Sequence, residues 1–109
     1  MSTIIENLER MLGSGQDSPM LRFGLGKAYL TSKDFHKAAE HLENAVEQDP
    51  EYSAAWKLLG RAYMQSDRTD EAIRSFAQGI KVAEQKGDIQ AAKEMGVFIK
   101  RLEKSSDTD

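Results

Sequence analysis

Residues 56–63 read Trp-Lys-Leu-Leu-Gly-Arg-Ala-Tyr, and four of them decide the fold: the tryptophan, the leucine before the glycine, the glycine and the tyrosine. Their spacing is W-x2-L-G-x2-Y, and Ala72 and Phe76 follow as A-x3-F. Small residues at fixed positions let two helix backbones approach, while large apolar residues fill the space between them. The pattern therefore predicts two helices packed as a hairpin.

The same pattern occurs 34 residues earlier in the chain. One hairpin cannot bury its own apolar face, so a stable core needs stacked copies of it. The agreement falls mainly at small and apolar positions, as expected if packing sets the period. Six pairs of aligned residues are identical: Leu25 and Leu59, Gly26 and Gly60, Ala28 and Ala62, Tyr29 and Tyr63, Ser32 and Ser66, and Ala38 and Ala72.

This pattern resembles the tetratricopeptide repeat signature, directly over residues 19–86. The second repeat lacks only the closing proline, which is Glu84, and the first has Arg22 and Leu42 in place of Trp and Phe. The resemblance implies an all-α fold: an α-solenoid of antiparallel helical hairpins, wound as a right-handed superhelix of about six helices. It also implies a concave groove lined by the first helices, and binding of peptides or assembly of complexes rather than catalysis.

Capping and breaking residues divide the chain into one domain over residues 1–104 and a disordered tail over 105–109. The domain comprises an N-terminal half-repeat helix and loop (1–18), repeat one (19–52), repeat two (53–86) and a C-terminal capping helix (87–104). The predicted helices are Thr3–Leu12, Pro19–Thr31, Asp34–Gln48, 51–65, Thr69–Gln85 and Ile89–Lys104.

Apolar residues at helical spacing predict how the two outer helices pack. In the first helix, Ile4, Leu8 and Met11 share a face that we expect to cover the first hairpin, with Gly13 as the C-cap. The predicted core face of the last helix contains Ile89, Ala92, Met95, Ile99 and Leu102.

The predicted groove lies on another face of the first helices, because the Leu-Gly-x2-Tyr face is used by the core. A stripe at i, i+3, i+7 and i+10 begins at Met20, and the 34-residue period carries it through the later helices. The predicted groove residues are Met20, Phe23, Lys27, Leu30, Ala54, Lys57, Arg61, Met64, Ala91, Met95 and Phe98.

Three cations, Lys27, Lys57 and Arg61, lie in the middle of this apolar stripe. They could bind carboxylates while the apolar residues bind side chains, so the functional hypothesis is an adaptor or scaffold for an acidic or carboxylate-ended peptide segment. In the alternative interpretation the cations are solvated, and the apolar residues pack the last helix or form a subunit contact. The chain would then be a self-associating structural subunit that uses its solenoid ends or the groove, and a monomer or a weak homo-oligomer is expected.

Composition argues against several other classes of protein. A net charge of -3 does not provide the basic face expected of a nucleic-acid binder, and the absence of cysteine rules out a thiol nucleophile or a cysteine metal site. His36 and His41 are five residues apart and do not share a helix face for a metal. We therefore expect no enzyme, cofactor or metal. Without an export signal or a membrane span, the expected location is the cytoplasm.

Overall fold

The structure is a computed structural model that describes residues 3–107, with side chains described up to residue 105. The parts of the predictions that concern residues 1, 2, 108 and 109 lie outside the described residues. No strand occurs within 3–107, and the predicted all-α repeat fold is confirmed. The six helices are α1 (Thr3–Gly13), α2 (Pro19–Thr31), α3 (Phe35–Gln48), α4 (Ser53–Gln65), α5 (Thr69–Gln85) and α6 (Ile89–Asp107).

The last helix is longer than predicted. It continues to Asp107, so residues 105–107, which were assigned to a disordered tail, are helical. Ser and Asp are weak helix formers but cost much less than Gly or Pro. Extending an existing helix also adds one hydrogen bond for each residue that is fixed.

Local capping residues set some helix boundaries, although α4 and α5 begin without a side-chain cap hydrogen bond. Ser18 caps α2, because its Oγ accepts a hydrogen bond from the Leu21 backbone amide at 3.1 Å, and Pro19 occupies the first turn. Lys33 and Asp67 stand at the same position of the two hairpin turns, with positive φ angles of 64° and 61°. The two complete hairpins thus share one turn geometry, as expected of a repeat.

Glycines bring the two helices of each hairpin together. A Cβ atom added to Gly26 would lie 2.4 Å from Leu42 Cγ, and one added to Gly60 would lie 2.6 Å from Phe76 Cε1. No larger residue fits there without displacing the large side chain opposite. The predicted role of these glycines in close helix packing is confirmed.

Tyrosine–glutamate hydrogen bonds connect each hairpin with the helix before it. The Tyr63 hydroxyl of α4 donates to the Glu43 carboxylate of α3. The Tyr29 hydroxyl of α2 donates to Glu9 Oε2 of α1 at 2.5 Å, and this contact raises the pKa of Tyr29 to about 12. Because Glu9 repeats the role of Glu43, α1 packs on α2 as the second helix α3 packs on α4.

The packed face of α1 differs from the predicted one. Leu8 packs against the core as predicted, but the other packed residues of α1 are Ile5 and Leu12. The predicted Ile4 and Met11 are 65% and 40% exposed. Neighbouring helix residues point about 100° apart, so α2 contacts a face one residue away from the predicted stripe. The left-handed residue after α1 is also not Gly13 but Gly15, whose φ is 94°.

Arg22 occupies the signature tryptophan position of the first repeat and makes polar contacts there. Its Nε and Nη2 atoms each donate to Asp17 at 2.9 Å, and its Nη1 lies 3.2 Å from His41 Nδ1. His41 is buried and stacks on the Tyr29 ring with centroids 5.5 Å apart, and burial lowers its pKa. This network holds the loop between α1 and α2 against α2 and α3.

The same network predicts a pH-dependent contribution to stability. Hydrogen bonds from Arg22 and then Gln48 lower the pKa of Asp17 from 3.8 to about 2. A lowered folded-state pKa gives a stabilisation that is present above pH 3.8 and is lost as the pH falls towards 2. We expect Asp17→Asn to lower the melting temperature at neutral pH, with the difference from the native chain disappearing over that window.

Thermal unfolding followed by circular dichroism across this pH range tests the prediction. The matched control is Glu84→Gln, because Glu84 is exposed and outside the network. A difference between Asp17→Asn and the native chain that persists at pH 2 would contradict this role for Asp17.

Candidate functional site

A row of connected clefts follows the first helices α2, α4 and α6, and we call it the groove. The clefts between α2 and α4 and between α4 and α6 have volumes of about 170 Å³ and 320 Å³, and Arg61 lines both. A third cleft, at the N-terminal ends of α4 and α6, shares Lys57 and Glu94 with the second. Shared lining residues make the groove continuous across the three helices. Besides the shared residues, the first two clefts are lined by Lys27, Leu30, Thr31, Leu58, Val97, Phe98 and Arg101.

One groove cation already binds a carboxylate from within the chain. Lys57 Nζ of α4 lies 2.5 Å from Glu94 Oε1 of α6. Hydrogen bonds from Lys57 and then Gln90 lower the pKa of Glu94, which keeps this carboxylate ionised to lower pH. The groove thus contains one example of the contact that an acidic ligand would make.

Three other groove cations, Lys27, Arg61 and Arg101, remain available. None of the three forms a side-chain ion pair with a residue in the range 3–105, where the structure describes side chains. Arg61 is half-buried, beside Leu58 on one side and Phe98 on the other. A partly desolvated guanidinium attracts an anion more strongly than an exposed one, because water screens the interaction less. Arg61 is therefore the central cation of the groove.

The structure separates the predicted groove residues into two sets. Four have other positions: Met20 projects into solvent with 76% exposure, Phe23 stacks on Tyr52 at 4.9 Å, Met64 packs against the core and Met95 is buried. Those that line the clefts are Lys27, Leu30, Ala54, Lys57, Arg61, Ala91 and Phe98.

Met95 requires a correction. Its predicted place on the core face of α6 is right, but its predicted place in the groove is wrong, because it has no exposed surface and cannot contact a ligand there. The error comes from carrying the 34-residue period into α6. The helix α5 has 17 residues where α3 has 14, and Gly96 lies 36 residues after Gly60. The longer α5 thus shifts the register of α6.

Sequence reasoning missed several lining residues for the same reason. Leu58 and Arg61 of α4 line the first cleft, and the residues 36 positions later, Glu94 and Val97, line the second. Arg101 adds a further cation beside them. The signal for the correct register of α6 was the dipeptide Met95-Gly96, which follows Leu59-Gly60 after 36 residues.

A cleft larger than these lies on the opposite face of α4, between α3, α4 and α5. It measures about 570 Å³, and Glu43, Glu47, Glu71 and Arg74 give its lining an acidic character. Two of these carboxylates are already bound, because Tyr63 donates to Glu43 and Arg68 to Glu71. Two of its three carboxylates therefore have partners within the chain, while Glu47 and Arg74 form no ion pair with the side chains of residues 3–105.

Both histidines contact other side chains of the domain. His36 is exposed and pairs with Glu40 at 3.2 Å, while His41 contacts Arg22. The described chain contains no group of three His, Cys, Asp or Glu residues that could hold a metal ion. In the same range, no helix combines the length and apolar character needed to cross a bilayer.

Comparisons with known proteins agree with this architecture. Residues 29–95 match the family model described as tetratricopeptide repeat. A TPR repeat-containing protein of Pseudomonas aeruginosa is 50% identical over 102 residues, which cover 94% of this chain and 97% of that protein. A protein of Bordetella parapertussis with a known solution structure is 38% identical, with a TM-score of 0.85 over 100% of this chain and 95% of that one. The peroxisomal targeting signal receptor of Kluyveromyces lactis is 28% identical over 65 residues, or 60% of this chain and 12% of the receptor.

Proposed function

Because the chain belongs to the tetratricopeptide repeat family, we propose that it is a non-catalytic adaptor whose groove binds an extended peptide segment bearing a carboxylate. Tetratricopeptide repeat homologues bind protein or peptide partners. The Kluyveromyces relative is, by its name, the receptor of a targeting signal. Membership of this family therefore supports a protein or peptide as the partner.

The observation that carries the proposal is the position of Arg61. Its guanidinium stands between two clefts that each contain two apolar side chains beside charged ones, and it has no ion-pair partner among the side chains of residues 3–105. A guanidinium can donate two parallel hydrogen bonds to one carboxylate. Leu30 and Leu58 in the first cleft, and Val97 and Phe98 in the second, would bind apolar side chains on either side of that carboxylate.

The Lys57–Glu94 pair supports the choice of a carboxylate. It places an acidic group in the groove against a cation of α4, 2.5 Å away. A ligand carboxylate would bind Arg61 directly and would compete with Glu94 for Lys57. The internal pair therefore lowers the affinity of the native groove and favours ligands that contact Arg61.

Binding measurements with defined peptides test the proposal. Decapeptides with free carboxyl termini would be selected from a random library, labelled and titrated by fluorescence anisotropy. Losing a charge-assisted hydrogen bond costs about 1.5–3 kcal/mol, so we expect Arg61→Gln to weaken binding about tenfold or more. We expect Glu94→Gln to strengthen it by up to about fivefold, because it frees Lys57 from an exposed ion pair.

The matched control is Arg74→Gln, which removes the same charge from the opposite cleft. Its affinity should equal that of the native chain, and circular dichroism would verify the fold of each variant. Equal losses for Arg61→Gln and Arg74→Gln would contradict binding in the groove. An unchanged affinity after amidation of every carboxylate in the peptide would contradict the ligand chemistry.

A further inference from the structure

The helix α6 has the sequence of a first helix, but the face with which a first helix contacts its second helix is open on α6. Met95-Gly96 followed by Ile99 repeats the spacing of Leu59-Gly60 followed by Tyr63. Gly60 is covered by Phe76 of the next helix, whereas a Cβ added to Gly96 would have nothing within 4 Å among the described residues. We call the space over this glycine the notch. A large side chain of the second helix fills it in each complete hairpin, and on α6 it is open.

The helix α1 has the opposite property. It packs on α2 as a second helix, and its Ile4 and Met11 lie 34 residues before Ala38 and Ala45. Both alanines are completely buried inside the first hairpin, but Ile4 is 65% exposed and Met11 is 40% exposed. The face with which a second helix contacts its own first helix is thus apolar and uncovered on α1.

We propose that α1 of one copy of this chain packs on α6 of a second copy and completes a hairpin between them. The register follows from the complete hairpins, where the glycine of the first helix faces Leu42 or Phe76. Leu8 aligns with Leu42 and would cover Gly96. In an antiparallel pair, Met11 then faces Ala92 and Ile4 faces Ile99.

Side-chain sizes at this contact are complementary. In the second hairpin the large Trp56 of the first helix faces a small residue, Gly79, with 3.0 Å between the Trp56 Cβ and an added Gly79 Cβ. At the proposed contact the sizes are exchanged, because Met11 of α1 is large and Ala92 of α6 is small. Ala92 is only 9% exposed in the single chain, so Met11 would pack over its remaining surface and the neighbouring Gly96. The exchange fills a similar volume and fits α1 to α6 specifically, since Met11 would clash with a tryptophan.

The side-chain sizes of the second pair of facing residues change in the same direction. Tyr63 on the first helix and Ala72 on the second become Ile99 on α6 and Ile4 on α1. A large and a small residue are replaced by two of intermediate size, so neither a cavity nor an overlap is expected. The face of α6 that would contact a second helix and the face of α1 that would contact a first helix are thus matched in side-chain size.

This contact is head-to-tail, so each association leaves one α1 and one α6 uncovered. Such heterologous contacts extend into longer oligomers instead of closing as a dimer. A single helix-to-helix contact buries a small area, and we expect the association to be weak and dependent on concentration. The contact lies at the ends of the repeat array and does not use Arg61.

Sedimentation of two variants, each blocked at one end, tests the proposal. Gly96→Leu fills the notch of α6, and the double change Ile4→Lys and Met11→Lys places charges on the exposed face of α1. We expect the mass of the native chain to rise with concentration up to about 1 mM, the range of weak contacts. Each variant alone should remain a monomer, and an equal mixture should form a heterodimer and nothing larger, because each variant keeps one competent end.

Controls separate this result from unfolding and from the groove. Gln65→Lys with Gln85→Lys adds the same charge at exposed positions and should still associate, as should Arg61→Gln. If Gly96→Leu loses helical signal, Gly96→Glu replaces it. A native chain that stays monomeric, a blocked variant that still associates alone, or a mixture that stays monomeric would each overturn the proposal.

Discussion

Replacing Phe76 with alanine is expected to lower the free energy of unfolding by about 3–5 kcal/mol. Phe76 is completely buried and is the largest side chain with no exposed surface among the described residues. Its ring covers Gly60 of α4 and stacks on Phe98 of α6 with centroids 5.0 Å apart. Its removal would leave a cavity between three helices.

A loss of this size is large against the free energy of unfolding of an ordinary domain, which is about 5–15 kcal/mol. Urea denaturation followed by circular dichroism measures the change. Phe35→Ala is the matched control, because it deletes the same atoms from a half-buried ring at the start of α3, outside the core cluster. Similar losses for the two variants would show that Phe76 does not have this central role in the core.

The second large effect is a difference in sign: replacement by alanine should lower stability at Gly60 and raise it at Gly96. In Gly60→Ala, the new Cβ would lie 2.6–2.8 Å from three atoms of the Phe76 ring. Overpacking typically costs about 1–3 kcal/mol and should exceed the helix preference of alanine. Gly96→Ala meets no neighbour, and the helix preference alone should raise stability by about 0.5–1 kcal/mol.

Both glycine variants would be measured by urea denaturation at a concentration where the native chain is monomeric. Opposite signs are expected because both positions are helical and differ mainly in what covers them. If Gly60→Ala were as stable as Gly96→Ala, the close approach of α4 and α5 in this structure would be incorrect.

Helix boundaries were predictable where they depend on neighbouring residues in the chain. Ser18 and Pro19 begin α2, and α5 covers the predicted range Thr69–Gln85. The repeat register of α2 to α5 was predictable too, since Gly26 and Gly60 are separated by the regular period. In both cases the determining interaction is local or is copied from one repeat to the next.

The groove was less predictable because its α6 side depends on packing across the sequence. The longer α5 moves Met95 into the core and brings Glu94 to the groove, where it pairs with Lys57. The two residues of that pair are 37 positions apart, and no local pattern connects them. The cations of α2 and α4 line the clefts because those helices keep the regular period.

The central claim, that the groove binds a carboxylate-bearing peptide, is tested most directly by NMR mapping of the bound peptide. A labelled sample would be titrated with the tightest peptide from the library, and amide shifts would be followed along the chain. We expect the largest changes around Lys27, Arg61 and Val97, with Arg74 unaffected. Changes concentrated instead around Glu43, Glu47 and Arg74, on the opposite side, would contradict the claim.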